Sequence, residues 1–362
     1  MNGVKTFVFF VEPSSYTLDL IEHVHKPMGI DYAFFSDAPL IAHSKKSPDA
    51  PIMGNMTKRQ RVAFVAKCRK KYDLIVCNGY ANLEFLSLFI GNLLTKKNFL
   101  AIESDTQPKK DRGLKGAVKR FVLQTIFKES HLLGFAGGTH EHKRYFREYG
   151  MAEERIFLMP MMVNNQKFST TRPKPDSPFT FLYVGRIIPH KNVQTLIESF
   201  QKAFSDRSDV LLRIVGRGES LASLQSRYSD VPNIRFEGAK FGRDLVETYH
   251  TSHVLVIPSL YEPWGLVVNE AMAAGLPVLA SDRVGAVGDL VRDGETGFVF
   301  DPENIDELSR LMQKIRSDRT LYETLASRAE KLMIEEWNYD LYRAGLLEAL
   351  AFIRQQKERQ TP

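Results

Sequence analysis

The chain has 362 residues, of which 43% are hydrophobic and 25% are charged. This composition excludes a disordered, collagen-like or disulfide-scaffold protein. At about 150 residues per domain, the length predicts two domains. The longest weakly polar run, residues 85–94, is about half of the ~20 residues needed to cross a bilayer. The two cysteines, and an N-terminal sequence without a small-residue cleavage site, lead us to expect a cytoplasmic protein.

The net charge of +6 is unevenly distributed along the chain. Residues 1–170 hold 25 Lys and Arg against 16 Asp and Glu, whereas residues 171–362 hold 24 against 27, so the halves carry +9 and −3. Two stretches concentrate the positive charge, one at residues 58–71 and one at residues 109–120. Basic stretches of this kind indicate anionic partners, such as phosphates or an acidic membrane surface.

Short apolar runs alternate with segments of helical length through residues 1–168, which we interpret as an N-terminal α/β domain. This rhythm is typical of a doubly wound parallel sheet with helices on both faces. The runs predicted as strands are residues 7–11, 32–35, 74–77, 99–102 and 132–136. The segments predicted as helices are residues 17–28, 58–71, 81–95, 113–128 and 140–149.

Residues 169–178 contain three prolines and no apolar stretch, which predicts a linker. The same rhythm then restarts over residues 179–336, so we expect a second Rossmann-like domain. The final segment, 337–362, is helical in pattern and is expected to pack back on the first domain. Because open parallel sheets bind ligands at the carboxyl ends of their strands, the predicted ligand site is the cleft between the two domains.

The first motif of the second half is YVGRIIPHKN, in which a predicted strand ends at Gly185. Glycine at this point allows a ligand to approach the backbone closely. Arg186 and Lys191 would place two cations at the carboxyl end of the strand, where a diphosphate binds. The alternative is that both cations are solvated surface residues.

The second motif is YEPWGLVVNEAMAAGLPVLAS. Pro263 suits the first turn of a helix, so we expect a helix over about 263–274. An anion site would then be formed by free amides at the helix start, those of Trp264, Gly265, Leu266 and Val267.

Two carboxylates, Glu262 and Glu270, frame this predicted helix. Along one helix axis they would lie about 12 Å apart, and a carboxylate can accept two hydroxyls of a vicinal diol. The alternative is a loop carboxylate and a salt-bridged helix residue. Downstream, SDRVGAVGDLVRDGETGFVFDPEN predicts a glycine-rich loop and a turn in which Gly294 and Gly297 have positive φ.

These three segments, in this order and spacing, resemble the nucleotide-binding domain of glycosyltransferase family 4, which has the GT-B fold. The similarity is close over residues 179–320 and only general in the N-terminal domain. It implies retaining transfer of a sugar from a nucleotide diphosphate sugar, with no metal or other cofactor. It also implies that Arg186 and Lys191 hold the diphosphate, that Glu262 contacts the transferred sugar and that Glu270 binds the ribose hydroxyls. Amides near 265–267 would complete the phosphate site.

The N-terminal domain departs from the family pattern in two places. Its first loop reads VEPSSYT where many members have a glycine pair. The segment after the fourth strand reads FLAIESDTQP where many members have a histidine that touches the donor sugar. Glu103, Ser104 or Asp105 would contact the donor sugar instead, and of these we predict Asp105. As an alternative, Asp105 caps the following loop.

The resemblance implies transfer of a hexosyl unit to a glycan or lipid-linked saccharide, in surface polysaccharide or glycolipid biosynthesis. Two alternatives remain open: a nucleotide-sugar epimerase on the same fold and a non-catalytic nucleotide-sugar-binding subunit. Residues 109–128 are interpreted either as an interfacial helix on the inner face of an anionic membrane or as a domain helix with a solvated basic face. No nucleic-acid partner is expected, because aromatic residues are scarce among these cations.

Overall fold

The computed structural model of the chain describes residues 3–37, 50–108, 113–170, 173–205 and 207–360. The chain divides into two compact units. Unit 1 consists of Met1–Met162 and Tyr339–Pro362, and unit 2 consists of Val163–Asn338. No helix within the described ranges combines the length and the hydropathy that a membrane span requires.

Unit 1 is built on six parallel strands whose side chains are mostly buried. The strands are β1 Thr6–Phe10, β2 Asp31–Phe34, β3 Leu74–Asn78, β4 Phe99–Ser104, β5 Leu132–Ala136 and β6 Ile156–Leu158. The helices are α1 Ser15–Leu20, continued by a π-helical segment Ile21–His25, α2 Lys58–Lys71, α3 Leu83–Thr95, α4 Gly113–Phe127 and α5 Glu141–Glu148.

The strand order in unit 1 is β2-β1-β3-β4-β5-β6. The chain steps in one direction from β1 to β2 and in the other direction from β3 to β6, as in a doubly wound sheet. Right-handed crossovers therefore place α1 on one face and α2 to α5 on the other. Local sequence fixes two helix starts: Thr57 and Gln60 form a capping box before α2, and the Asn82 side chain accepts the Phe85 N–H before α3.

The C-terminal helix α13, Tyr339–Gln360, belongs to unit 1 and packs on β6 and on the π-helical segment. Gly345 allows this close packing, since a Cβ there would lie 1.9 Å from the Leu158 carbonyl oxygen. The Tyr342 hydroxyl donates to Glu103 at 3.3 Å, and Phe352 packs against the ring of Phe99. The prediction that the C-terminal helix returns to the first domain is confirmed.

Unit 2 contains a second parallel sheet in the order β12-β11-β10-β7-β8-β9. Its strands are β7 Phe179–Val184, β8 Val210–Val215, β9 Ile234–Gly238, β10 Val254–Ile257, β11 Val278–Ser281 and β12 Gly297–Phe300. Its helices are α6 Asn165–Phe168, α7 Val193–Phe204, α8 Leu221–Tyr228, α9 Gly242–His250, α10 Leu266–Ala273, α11 Ile305–Ser317 and α12 Arg319–Glu335.

The direction of winding in unit 2 reverses between β7 and β10, which lie side by side. The chain runs outward from β7 to β9, returns to the other side of β7, and then runs outward again from β10 to β12. The carboxyl ends of β7 and β10 therefore form the topological switch point of this sheet, where ligands bind in doubly wound folds. The predicted architecture of two doubly wound parallel sheets is confirmed.

The structure groups residues 163–168 with unit 2, whereas the sequence interpretation placed them in the first domain. The reason is the position of α6, which packs on α9 and α10. The Asn165 side chain donates to the carbonyls of Met333 and Trp337, at 2.6 and 3.0 Å. These bonds attach the segment to the end of α12, and nothing in its local sequence predicts them.

Candidate functional site

The loop after β7 runs beside the loop after β8. The Gly185 N–H donates to the Val215 carbonyl at 3.0 Å, and the Ile187 N–H donates to the Arg217 carbonyl at 2.9 Å. A Cβ on Gly216 would lie 1.8 Å from the Gly185 oxygen. Only glycine fits there, because the two backbones almost touch.

Arg186 lies in this loop, two residues after the end of β7, and its side chain is exposed. Its carbonyl accepts the Tyr183 hydroxyl at 2.7 Å, which ties the loop back to β7. The predicted position of Arg186 at the carboxyl end of a strand is therefore observed, and its guanidinium is accessible to an anion.

Lys191 ends a short 3₁₀ turn, Pro189–Lys191, that precedes α7. The turn closes through Asn192, whose φ of 56° is left-handed, a conformation that asparagine tolerates better than most residues. Lys191 is only 8% exposed, and its ammonium group donates to Oε2 of Glu262. The His190 carbonyl accepts the Leu260 N–H at 2.8 Å, so the turn is also joined to the loop after β10.

Glu262 lies on a loop segment that pairs with residues 283–286. Its N–H donates to the Arg283 carbonyl at 3.2 Å, and its own carbonyl accepts the Gly285 N–H at 3.0 Å. The Trp264 carbonyl accepts the Ala286 N–H at 3.1 Å. These bonds fix the direction of the Glu262 side chain, which is 17% exposed and reaches Lys191.

Helix α10 begins at Leu266, three residues later than predicted from Pro263. The pairing of Glu262 and Trp264 with residues 283–286 holds this stretch in a loop, and Gly265, with φ 97°, then turns the chain into the helix. The first-turn amides of the helix are thus those of Leu266 and Val267, which have no preceding helical carbonyl. Trp264 is instead buried, and its indole N–H donates to Asn269 at 2.7 Å.

The late start of α10 also changes the expected relation between the two carboxylates. Glu262 does not lie on the axis of α10, so the rise of about 12 Å along one helix does not describe their separation. Glu270 lies one turn into α10 and accepts the Tyr249 hydroxyl at 2.6 Å. Burial raises the pKa of Glu270 to about 7, although the hydrogen bond from Tyr249 acts in the opposite direction.

The third motif forms the predicted turn, with one correction. Gly294 has φ 73°, as predicted. Gly297 lies in β12 and has no left-handed φ. It is required there for space, because a Cβ would lie 1.9 Å from the Val278 carbonyl oxygen.

Nine of the ten predicted site residues lie in unit 2, around the ends of β7 and β10 and the start of α10. They are Gly185, Arg186, Lys191, Glu262, Trp264, Gly265, Leu266, Val267 and Glu270.

The tenth, Asp105, follows β4 in unit 1 and is half-buried. Nearby, the Asn78 side chain donates to Glu103 at 3.2 Å, and burial raises the pKa of Glu103 to about 7. Part of the basic stretch at 109–128, including Lys109, Lys110 and Arg112, lies outside the described residues. Among the residues that are described, no group of three or more His, Cys, Asp or Glu side chains is arranged to hold a metal ion.

Sequence reasoning missed three residues that support this site. Tyr249 on α9 binds Glu270, and Trp337 stacks on Trp264. Lys174, in the predicted linker, is half-buried, and its ammonium group donates to the carbonyls of Tyr249 and Ala274, both at 3.0 Å. It thereby joins the C-terminal ends of α9 and α10. In the sequence, the only indication of these supporting contacts is that Trp264 and Trp337 are the two tryptophans of the chain.

The sequence model of the family described as Glycosyl transferases group 1 matches residues 164–332, a range that contains the whole β7–β10 switch point. This segment belongs to that family. The group 1 glycosyltransferase domain thus includes nine of the ten predicted site residues, and the resemblance to glycosyltransferase family 4 is confirmed.

Curated relatives of this glycosyltransferase domain come from different kingdoms. An uncharacterized glycosyltransferase of Methanocaldococcus jannaschii is 32% identical over 44% of this chain and 41% of its own. Sulfoquinovosyl transferase SQD2 of Arabidopsis thaliana is 29% identical over 44% of this chain and 30% of its own. The capsular polysaccharide biosynthesis glycosyltransferase CapM of Staphylococcus aureus is 32% identical over 42% and 40%. The matched region spans less than half the length of these relatives.

Solved structures extend the likeness in fold to nearly the whole chain. Anabaena HepE, in complex with UDP and glucose, covers 96% of this chain and 99% of its own, with a TM-score of 0.74 and 17% identity. Sucrose-phosphate synthase from Thermosynechococcus elongatus covers 98% of both chains, with a TM-score of 0.66 and 22% identity. At these identities the likeness concerns the fold alone, and it confirms the predicted GT-B class.

Proposed function

We propose that this chain transfers a hexosyl unit from a nucleotide diphosphate sugar to a glycan or lipid-linked saccharide acceptor. The anomeric configuration is retained, and no metal takes part. The product belongs to surface polysaccharide or glycolipid biosynthesis on the cytoplasmic side of the membrane. The observation that carries the proposal is the grouping of Lys191, Glu262 and the start of α10 at the switch point of one sheet.

The chemistry of that grouping suits a leaving diphosphate. When the bond to the sugar breaks, negative charge develops on the phosphate oxygens. Cations and amides that are already in position stabilise this charge without further rearrangement. Arg186 is exposed on the loop after β7, and Lys191 is fixed by its turn. The amides of Leu266 and Val267 lie in the first turn of α10. A donor diphosphate bound among them would be neutralised by protein groups alone.

The two carboxylates are suited to hydroxyl groups of the donor. Glu262 is aligned by backbone pairing and by Lys191, and in the proposal it contacts the transferred sugar. Glu270 is held by Tyr249 and would accept the vicinal hydroxyls of the ribose. Asp105 is proposed to contact the donor sugar. Anabaena HepE was solved with UDP-glucose, which makes UDP-glucose the first donor to test.

The test is release of nucleoside diphosphate from a panel of UDP-, GDP-, dTDP- and CDP-sugars, with and without saccharide acceptors. We expect acceptor-dependent release from at least one donor, unchanged by EDTA, and an α-linked product from an α-linked donor by NMR. Replacing Glu262 with Ala should abolish transfer. The matched control is Glu323→Ala, which removes an exposed carboxylate of α12 and should leave transfer unchanged.

Three outcomes would contradict the proposal. Conversion of the donor without an acceptor would indicate an epimerase. Donor binding without turnover of any sugar would indicate a non-catalytic subunit. Wild-type turnover by Glu262→Ala would exclude this site as the place of reaction.

A further inference from the structure

Large hydrophobic side chains are exposed in an unusual concentration on three consecutive helices of unit 1. One lies on α2, five lie on α3 and four lie on α4. They are Val62, Leu83, Leu86, Ile90, Leu93, Leu94, Leu114, Val118, Phe121 and Val122. Single exposed hydrophobic residues are normal, but a contiguous group indicates an interaction surface.

Helix α3 is apolar on both of its sides. Its inner side, with Phe85 and Phe89, is buried in the core of unit 1. Its outer side carries Leu83, Leu86, Ile90, Leu93 and Leu94 at spacings of three and four residues, and Leu94 is 87% exposed. A surface helix normally presents polar residues to water, so this outer side is built for contact with something apolar.

Helix α4 repeats this arrangement. Leu123 and Phe127 are buried in the same core cluster as the inner side of α3. Leu114, Val118, Phe121 and Val122 are exposed, Phe121 to 72%. Their spacings of four, three and one residues place them on one side of the helix.

The outer sides of α3 and α4 lie on the same face of the sheet. The crossovers from β3 to β4 and from β4 to β5 step in the same direction, so both helices cover the same side and flank β4. Helix α2 lies beside α3, because the Arg69 guanidinium donates to the Gly91 carbonyl at 2.9 Å. The nine apolar residues of α3 and α4 thus form one surface, which we call the α3–α4 face.

Within the described residues, the helices that form and flank the α3–α4 face carry mainly positive charge. Helix α2 carries seven Lys and Arg and α4 carries three, and neither contains an Asp or Glu. The one acid of α3, Glu84, lies 3.7 Å from Arg61. Lys96 and Lys97 follow the end of α3 and are exposed. The surface therefore joins an apolar centre to a cationic margin.

We propose that the α3–α4 face docks on an anionic lipid bilayer, with its leucines and Phe121 inserted at the boundary between headgroups and acyl chains. Apolar insertion and attraction of lysines to anionic headgroups are the two forces that bind interfacial helices. A second copy of this chain is a poorer occupant, because a symmetric pair would bring two sets of like charges together. The surface belongs to unit 1 alone, so it does not depend on the proposed transfer reaction.

The test is co-sedimentation of the full chain with phosphatidylcholine vesicles, with and without phosphatidylglycerol. We expect binding only with the anionic lipid, weakened by added salt. Leu94→Ser and Phe121→Ser should each lower the partition coefficient on the order of tenfold. Lys97→Ala should lower it about fivefold. Ile334→Ser is the matched control, since Ile334 is 54% exposed on α12 of unit 2, and it should bind like the wild type.

Insertion can be observed directly with Phe121→Trp, whose emission should shift to the blue on anionic vesicles only. Circular dichroism should show that each variant is folded, because these side chains contribute little to the core. Wild-type protein that stays in the supernatant with every vesicle would overturn the proposal. Binding of Leu94→Ser and Phe121→Ser that equals binding of the wild type would also overturn it. So would a concentration-dependent dimer that these substitutions abolish. None of these outcomes bears on the donor site, which is tested by turnover.

Discussion

The indole rings of Trp264 and Trp337 stack with their centroids 5.4 Å apart and their planes inclined by 14°. Both side chains are buried, and they are the two tryptophans of the chain. Trp264 precedes the start of α10, whereas Trp337 lies near the end of unit 2. The conformation of the loop that carries Glu262 is therefore held in part by a residue more than seventy positions away in the sequence.

Replacing Trp337 with Ala should loosen this loop. The free energy of unfolding should fall by about 3–5 kcal/mol, as for other buried aromatic residues, and donor affinity should fall with it. Trp337→Phe keeps an aromatic ring in place and leaves a smaller cavity, so it should cost less than Trp337→Ala. Urea unfolding followed by far-UV circular dichroism measures the free energy of unfolding of both variants. Equal midpoints for Trp337→Ala and the wild type would show that the stack does not support the loop.

The contact between Lys191 and Glu262 allows stability and activity to be separated. Lys191→Met leaves a nearly buried carboxylate without its cation, which should lower the free energy of unfolding by about 3–5 kcal/mol. Turnover should fall by roughly 10²–10³-fold if Lys191 stabilises the leaving phosphate. Adding Glu262→Gln removes the carboxylate charge that Lys191 balanced, so the double variant should recover part of the stability and remain inactive.

Urea unfolding and initial rates of nucleotide release measure these two effects. Lys202→Met, which breaks an exposed ion pair with Asp306 in the same unit, is the control and should change neither quantity appreciably. Turnover by Lys191→Met close to that of the wild type would mean that Lys191 serves the fold rather than the reaction.

The fold was predictable to the extent that local pattern determines it. The bounds of α2 and β5 agree with the predicted 58–71 and 132–136. Strand β6 and helices α11 and α12 were not predicted; β6, with three residues, is too short to show a period. The start of α10 was wrong because proline at a favourable position indicates a helix, whereas backbone pairing with residues 283–286 prevents one.

The candidate site was predictable wherever its residues share a motif. Gly185, Arg186 and Lys191 come from one stretch, and Glu262 and Glu270 come from another. The supporting residues were not predictable, because their roles depend on tertiary proximity. Tyr249 is near Glu270 only because α9 and α10 come together in the fold. Lys174 lies in a polar linker in the sequence, and its contacts with the ends of α9 and α10 arise only in the folded structure.

Glu270 should make stability depend on pH. Its pKa is raised to about 7 in the folded chain by burial, above the value of about 4.3 in an unfolded chain. The folded state therefore binds the proton more tightly. The contribution of Glu270 to the free energy of unfolding is therefore fully present below pH ~4.3 and is lost as the pH rises through about 7.

Glu270→Gln keeps an acceptor for the Tyr249 hydroxyl but does not titrate. The free energy of unfolding of the wild type, minus that of Glu270→Gln, should fall by about 3 kcal/mol between pH 4 and pH 8. Subtracting the variant removes the contributions of all other groups. Urea unfolding at several pH values gives this difference, and a flat difference would show that Glu270 titrates normally.

Gly218 should be needed for donor binding although it touches no predicted donor group. A Cβ at this position would lie 2.2 Å from the Ile187 carbonyl oxygen, so Gly218→Ala must push the loop that carries Arg186. Such overpacking costs about 1–3 kcal/mol, and the displaced Arg186 should bind a diphosphate more weakly. Gly3→Ala is the control, because no atom lies within 4 Å of a Cβ there. Calorimetric titration with nucleoside diphosphate and urea unfolding measure the two effects. Unchanged affinity in Gly218→Ala would mean that the β7 loop is not part of the diphosphate site, since a shift of its backbone carries Arg186 with it.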